Sequence, residues 1–200
     1  MVKKSTGTTR SAVLIDALLG IVAEQGFDQV SVRQVATAAG VSIGTVQHYF
    51  PTKDQMLAAA FTEVAQGIRR RIEAVPLGDD VRDNLSRVLR ELLPIDGQRK
   101  VEARIQVAFS AAAANSPDLA VIQRTVLTEI HRELTEAFKL GWGEGASATQ
   151  CRRAAHVALA LVDGLALHAV SSGGWLGARA QSEALSLMLG SLLPGEAGRS

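Results

Sequence analysis

A single cysteine, Cys151, stands in the 200 residues, so no disulfide can close within the chain and no cysteine-based zinc cluster can be assembled. A reducing cytoplasm is the compartment this predicts. The four histidines, His48, His131, His156 and His168, form no His-Glu-x-x-His pair or other short metal-ligand spacing, and no metal site is expected. No Gly-x-Ser-x-Gly elbow occurs, and the glycines of 141–145 follow no strand, so they do not make a dinucleotide fingerprint. No catalytic residue and no cofactor is therefore expected, and the chain does not read as an enzyme. An excess of one charge is missing as well. The formal net charge is +1, which excludes a uniformly basic nucleic-acid-coating protein and leaves any DNA contact to a local patch. No apolar stretch approaches transmembrane length without polar interruption, and the charged start leads into an amphipathic pattern. A soluble, cytosolic chain with no membrane partner is expected.

What is present is a dense series of helix starts and stops. Apolar residues make up 47% of the chain, ample for a sizeable core. Leu14, Ile15, Leu18, Leu19 and Val22 fall at helical spacing, and Gly26 sits where a helix-ending glycine belongs. Ser31 with Gln34 reads as a capping box for a short helix carrying Val32, Val35, Ala36 and Ala39, which Gly40 ends. Ser42 restarts the chain as an N-cap, and Thr52 with Gln55 repeats the capping-box pattern. The helix that follows runs through Met56, Leu57, Ala60, Phe61, Val64, Ile68 and Ile72 and stops before Pro76. Breakers at 76–80, 94–97, 116–117, 141–145 and 171–177 divide the remainder into helical segments, with Ser116-Pro117 as a clear start signal. No convincing strand appears. The expected fold is all-α, with about nine helices: a basic arm over 1–10, a helix-turn-helix over 11–51, and a larger helical bundle over 52–200.

Two short helices joined by a tight turn, followed at once by a longer one, are the outline of a DNA reader. Gly26-Phe27, Ala36, Ala39-Gly40-Val41-Ser42, Gly44-Thr45, Phe50 and Lys53 resemble the amino-terminal domain of TetR-type transcriptional regulators, over roughly residues 8–60. The resemblance implies a sequence-specific DNA-binding regulator acting as a homodimer on a palindromic operator of double-stranded DNA. It also implies a carboxy-terminal domain that responds to a small-molecule effector by releasing the DNA. A weaker likeness in 159–168, Leu-Ala-Leu-Val-Asp-Gly-Leu-Ala-Leu-His, followed by Ser171-Ser172-Gly173, points to the subgroup of the choline-responsive repressor of betaine synthesis. The competing reading is a helical adaptor that keeps the fold but works through protein contacts.

Within the reading helix, Val46 and Phe50 are expected to face inward, leaving Ser42 as its cap and Gly44, Thr45, Gln47, His48 and Tyr49 toward DNA. Gln47 can pair bidentately with adenine, and Thr45 can meet a thymine methyl or a phosphate. His48 and Tyr49 fit phosphates. TetR-type chains often carry tyrosine where Gln47 stands and histidine where Tyr49 stands, so the resemblance implies the domain but not the operator sequence. Lys53, with the amides of its helix start, and Arg33 occupy backbone-contact positions of the resemblance. Lys3, Lys4 and Arg10 fit either an arm along the phosphates or a solubilising tail.

The last two helices, about 148–171 and 178–193, are rich in alanine and leucine and read as a dimer face or as ordinary core. Asp163 interrupts an apolar run and shares a helical stripe with His156, Ala160 and Leu167. It can pair with His156 through water, bind a cationic ligand, or cap a neighbouring helix. Arg104, Phe109, Asn115, His131 and His168 complete the candidate effector-binding set, as polar or aromatic residues within apolar helices.

Overall fold

The computed structural model describes residues 5–193. In chain order it contains α1 (Ser5–Gln25), a 3-10 turn (Phe27–Gln29), α2 (Val32–Ala38), α3 (Ile43–Tyr49), α4 (Lys53–Glu73), α5 (Val81–Arg90), α6 (Gly97–Ala113), α7 (Pro117–Trp142), α8 (Ala148–Ser171) and α9 (Ala178–Leu192). Among the described residues these nine helices account for the regular structure and no strand occurs, as the periodicity and breakers predict. One expectation shortens. Ser5 to Arg10 are already helical, so Arg10 is carried on α1 and not on an extended arm, while Lys3 and Lys4 lie outside the described residues.

The chain forms two compact units. The first takes residues up to Gly67 together with Arg104–Ala120. Its buried residues include Leu14, Leu18 and Val22 of α1, Val35 and Ala36 of α2, Val46 of α3, and Met56, Leu57 and Phe61 of α4. Phe61 stacks face to face on Phe109 of α6 at 3.9 Å between ring centroids, a pairing that sequence spacing does not announce. The turn between α2 and α3 closes with paired bonds, Val41 amide to Ala36 carbonyl at 3.0 Å and Gly40 amide to Thr37 carbonyl at 3.2 Å. That double closure needs a left-handed residue at its bend, and Gly40 supplies it with φ +64°.

Two of the caps differ in completeness. At α4 the box is reciprocal: the Gln55 amide donates to Thr52 Oγ1 at 3.2 Å and the Thr52 amide to Gln55 Oε1 at 3.3 Å. At α2 only the first half forms. The Gln34 amide donates to Ser31 Oγ at 3.3 Å, but the Gln34 carboxamide oxygen accepts from the Ser31 hydroxyl, and its nitrogen donates to Gln25 at the end of α1. The reciprocal bond is thus exchanged for one that ties α2 to α1.

The second unit takes Ile68–Ala103 and the residues from Val121 onward. Its core joins Leu85, Leu89 and Leu93 with Leu134 and Phe138 of α7, Ala154, Ala155, Ala158 and Val162 of α8, and Leu185 and Leu189 of α9. The Trp142 indole donates to the Leu192 carbonyl at 2.9 Å, closing the end of α7 on the end of α9. Helix α8 is long and apolar enough on average to cross a membrane. It also places Cys151, Ala154, Ala155, Ala158, Val162, Leu165 and Ala166 in the interior and carries Arg152, Arg153 and Asp163. Asp163 itself is half-buried, so the desolvation penalty expected from its apolar neighbours in sequence is only partly imposed.

A charged cluster fixes the end of α4. Arg71 makes a two-pronged contact with Glu102 of α6, at 2.8 and 2.6 Å, and its Nε donates to Glu91 at 3.0 Å. Arg99 meets the same Glu91 and also Asp96 at 3.0 Å. The hydrogen bond to Glu102, ahead of the other influences, holds the Arg71 pKa above its ordinary value, so the cation persists throughout the accessible pH range. Replacing Arg71 with Met leaves Glu102 without its guanidinium. The expected loss is about 2 kcal/mol, smaller than for a fully buried pair because the guanidinium keeps some water. Urea unfolding of R71M and of R71M/E102Q measures this, and the second variant should recover part of the loss.

Candidate nucleic-acid interface

The orientation of α3 follows from three contacts. Ser42 Oγ accepts from the Thr45 amide at 3.1 Å and caps the helix start. Val46 is fully buried and Phe50, just past the helix end, is nearly so. The Phe50 amide closes on the Val46 carbonyl at 2.8 Å. With those two side chains turned inward, Ser42, Ile43, Gly44, Gln47 and His48 are exposed, and Thr45 and Tyr49 are half-buried at the margins. This is the division expected from the sequence, with one addition, Ile43.

The marginal residues are held in place. The Thr45 hydroxyl lies 2.9 Å from Ser42 Oγ, so its hydrogen-bonding capacity is partly used within the helix start. His48 stands edge-on to Tyr49 at 5.5 Å, and Tyr49 leans on Phe50 at 6.5 Å. Gln47 projects from the middle of the exposed face. Arg33 is exposed on α2 and makes no ion pair among the described residues. Arg10 is exposed on α1.

Lys53, at the start of α4, is also engaged within the chain. Its ammonium donates to the Asp28 carbonyl at 2.9 Å and lies 5.2 Å from the centre of the Phe27 ring. It ties the start of α4 to the 3-10 turn, and the ammonium still has two N–H groups to offer. The α4 start is also capped from within by the Thr52–Gln55 box, so fewer backbone amides are open there than an uncapped helix would present.

Gly44 has no internal reason to be glycine. Its φ is not positive, and a Cβ built on it would meet only Ser42 Oγ, at 3.9 Å, an ordinary contact distance. A helix start that tolerates alanine but carries glycine leaves its backbone bare on the exposed face.

The candidate effector residues divide between the two units. Arg104, Phe109 and Asn115 belong to the first. Arg104 donates to the Ala23 carbonyl at 2.9 Å and pins α6 to α1. Phe109 is fully buried against Phe61, and Asn115 is exposed and bonds the Ala111 carbonyl. In the second unit His131 and His156 come together, ring centroids 4.0 Å apart, with His131 Nε2 at 3.1 Å from the Arg152 carbonyl. His168 is exposed, 6.4 Å from the Trp175 ring. The predicted stripe of His156, Ala160, Asp163 and Leu167 lies largely open on α8. Among the described residues no group of three or more metal-ligating side chains is assembled.

Sequence reasoning passed over two features. Ile43 stands three residues before Val46 and seven before Phe50, so periodicity alone puts it on the inward stripe. The Arg71 cluster joins residues up to 31 apart in the chain, beyond any local pattern.

A seven-residue helix, capped, seated on two apolar anchors and open along its other face, defines a helix-turn-helix DNA-binding protein. The profile of "Bacterial regulatory proteins, tetR family" matches residues 14–60, and that of "BetI-type transcriptional repressor, C-terminal" matches residues 81–194. A transcriptional regulator from Rhodococcus sp. Rha1 is 38% identical, with TM-score 0.83 over 92% of this chain and 96% of that one. The regulator BetI of Stenotrophomonas maltophilia is 30% identical over 176 residues, 87% of this chain and 88% of the relative. A regulator from Saccharomonospora viridis, solved in complex with choline, shares the fold at TM-score 0.82 and 17% identity, over 91% of this chain and 96% of that one. The chain belongs to the TetR family and is a DNA-binding transcriptional regulator.

The Ser42 cap sets the start of α3, and its removal tests that role. S42A is expected to lower stability by about 1 kcal/mol, read as a lower thermal midpoint.

Proposed function

We propose that the protein is a dimeric repressor whose α3 helices enter successive major grooves of a palindromic operator and whose grip is released by a small-molecule effector. The observation that carries this reading is the open face of α3, where Gln47 projects while Val46 and Phe50 are buried. Gln47 reads a base edge, adenine being the best fit to its carboxamide. Ser42, Thr45, His48 and Tyr49 line the same surface as phosphate or sugar contacts, and Gly44 lets the backbone approach closely. Arg33, Arg10 and Lys53 add backbone attraction, with Lys3 and Lys4 as its extension ahead of α1.

Residues 11–51 serve as the reader and 52–200 as the effector and dimerisation part. A second copy pairs through α8 and α9, whose outward surface carries Val157, Leu167 and Leu187. These are large apolar side chains left in water on two helices that pack on one another, and a two-fold pair of such hairpins makes a four-helix face. A palindrome is the matching DNA symmetry. A compact quaternary ammonium is the first effector to test. The carboxy-terminal profile is BetI-type and the Saccharomonospora viridis regulator holds choline, while Asp163 is a half-buried carboxylate on α8, about two helical turns from His156. Release follows if the effector binds more tightly to a dimer whose readers are wrongly spaced for the operator. On this reading the protein works in the bacterial cytoplasm and carries out no enzymatic step.

The deciding experiment is a titration of the purified protein against DNA upstream of its own gene, at two salt concentrations and against an unrelated competitor. Tight, competitor-resistant, salt-sensitive binding supports the reading. Failure there and in random-sequence selection leaves the adaptor reading in its place. With an operator in hand, Q47A should lose about 1–3 kcal/mol of discrimination at one base step, whereas R33A should weaken all sequences alike and reduce the salt slope by about one. L187E should convert the dimer to monomer in sedimentation velocity without unfolding it. G44A should melt no lower than the parent yet bind the operator more weakly.

A further inference from the structure

A lone exposed isoleucine on a protein surface needs no explanation. Ile43 is different in its setting. It is the first residue of α3, it is 42% exposed, and it lies one helical turn from Gln47 on the same open face. The Ser42 cap fixes the backbone that carries it. Its neighbour Gly44 lacks a side chain that nothing inside the chain forbids, so the surface beside Ile43 is cut back to backbone. Thr45, the other residue able to meet a methyl group, is half-buried with its hydroxyl against Ser42. Ile43 is therefore the largest free apolar group on the face of α3.

We propose that Ile43 determines operator specificity by packing on the C5-methyl of a thymine, one in each half-site, in the major groove. The inference rests on the DNA-reading assignment above. Thymine is the natural DNA base that offers an apolar group in that groove, and an aliphatic side chain is the complement to it. The contact needs no hydrogen bond and discriminates by the loss of buried apolar surface when the methyl is absent, as in cytosine, whose C5 carries only hydrogen.

The test first selects the preferred operator for the full-length wild-type chain from random sequence. Each thymine is then replaced in turn by deoxyuridine, which removes only the methyl, and binding is followed by fluorescence anisotropy. At one symmetry-related thymine position, deoxyuridine should lower wild-type affinity by about fourfold per half-site, the fold-change for one buried methyl-sized group, and by about fifteenfold when both half-sites are changed. I43A should bind the thymine operator more weakly, and should be indifferent to deoxyuridine at that position. Circular dichroism and thermal melting keep a folding defect in I43A apart from a contact defect. A scan in which no thymine matters overturns the proposal, as does a deoxyuridine penalty of the same size in I43A as in the wild type. A selection that returns no preferred sequence overturns instead the DNA-reading assignment on which it rests.

Discussion

The rotation of α3 about its own axis is the constraint on which the DNA-reading surface depends. A helix of seven residues cannot hold itself together in water, because its few internal hydrogen bonds do not offset nucleation. It exists because Ser42 caps it, Val46 and Phe50 bury beneath it, and the Gly40 turn delivers it to α2. Those anchors leave only one orientation in which the apolar groups are dry. Once that orientation is set, the outward positions of Gln47 and His48 follow from helical geometry alone. The same geometry makes the edge residues, Ile43, Thr45 and Tyr49, sensitive to small shifts of the anchors.

The second unit is organised by a different kind of interaction. Its apolar core is continuous across α5, α7, α8 and α9 and rests on the small alanines of α8, which let neighbouring helices approach closely. The Arg71 cluster adds direction to that packing. A guanidinium that meets Glu102 with two nitrogens and Glu91 with a third accepts few alternative geometries, so the C-terminal turns of α4 are registered against the start of α6 and the end of α5. Such a network contributes less to net stability than its short distances imply, since the charges lose water when they pair. Its effect is to single out one arrangement among several that apolar packing alone would permit.

Local rules made much of this legible. The starts of α3 and α4, the glycine stop after α2, the proline start of α7 and the span of α8 are all written in patterns of a few residues, and each lies where those patterns put it. Other positions were beyond their reach. Periodicity assigns Ile43 to the inward stripe with Val46 and Phe50, but at the first turn of a short helix the neighbouring element no longer covers that stripe. Phe109 reads equally well as a pocket wall or as core, and the ring of Phe61 decides for core. Asp163 reads as a buried charge among apolar neighbours, yet its face of α8 is partly open.

The sequence by itself determined the class of fold, the bounds of the reading helix and the identity of its inward anchors, because caps, turns and amphipathic stripes are set by residues within about four positions of one another. Only the tertiary structure decided that Lys53 is tied to the 3-10 turn, that Arg71 locks onto Glu91 and Glu102, that His131 meets His156, and that Ile43 stands open beside a bare glycine. Burial and side-chain pairing are relations between distant segments, and no local pattern records which surface another helix will cover.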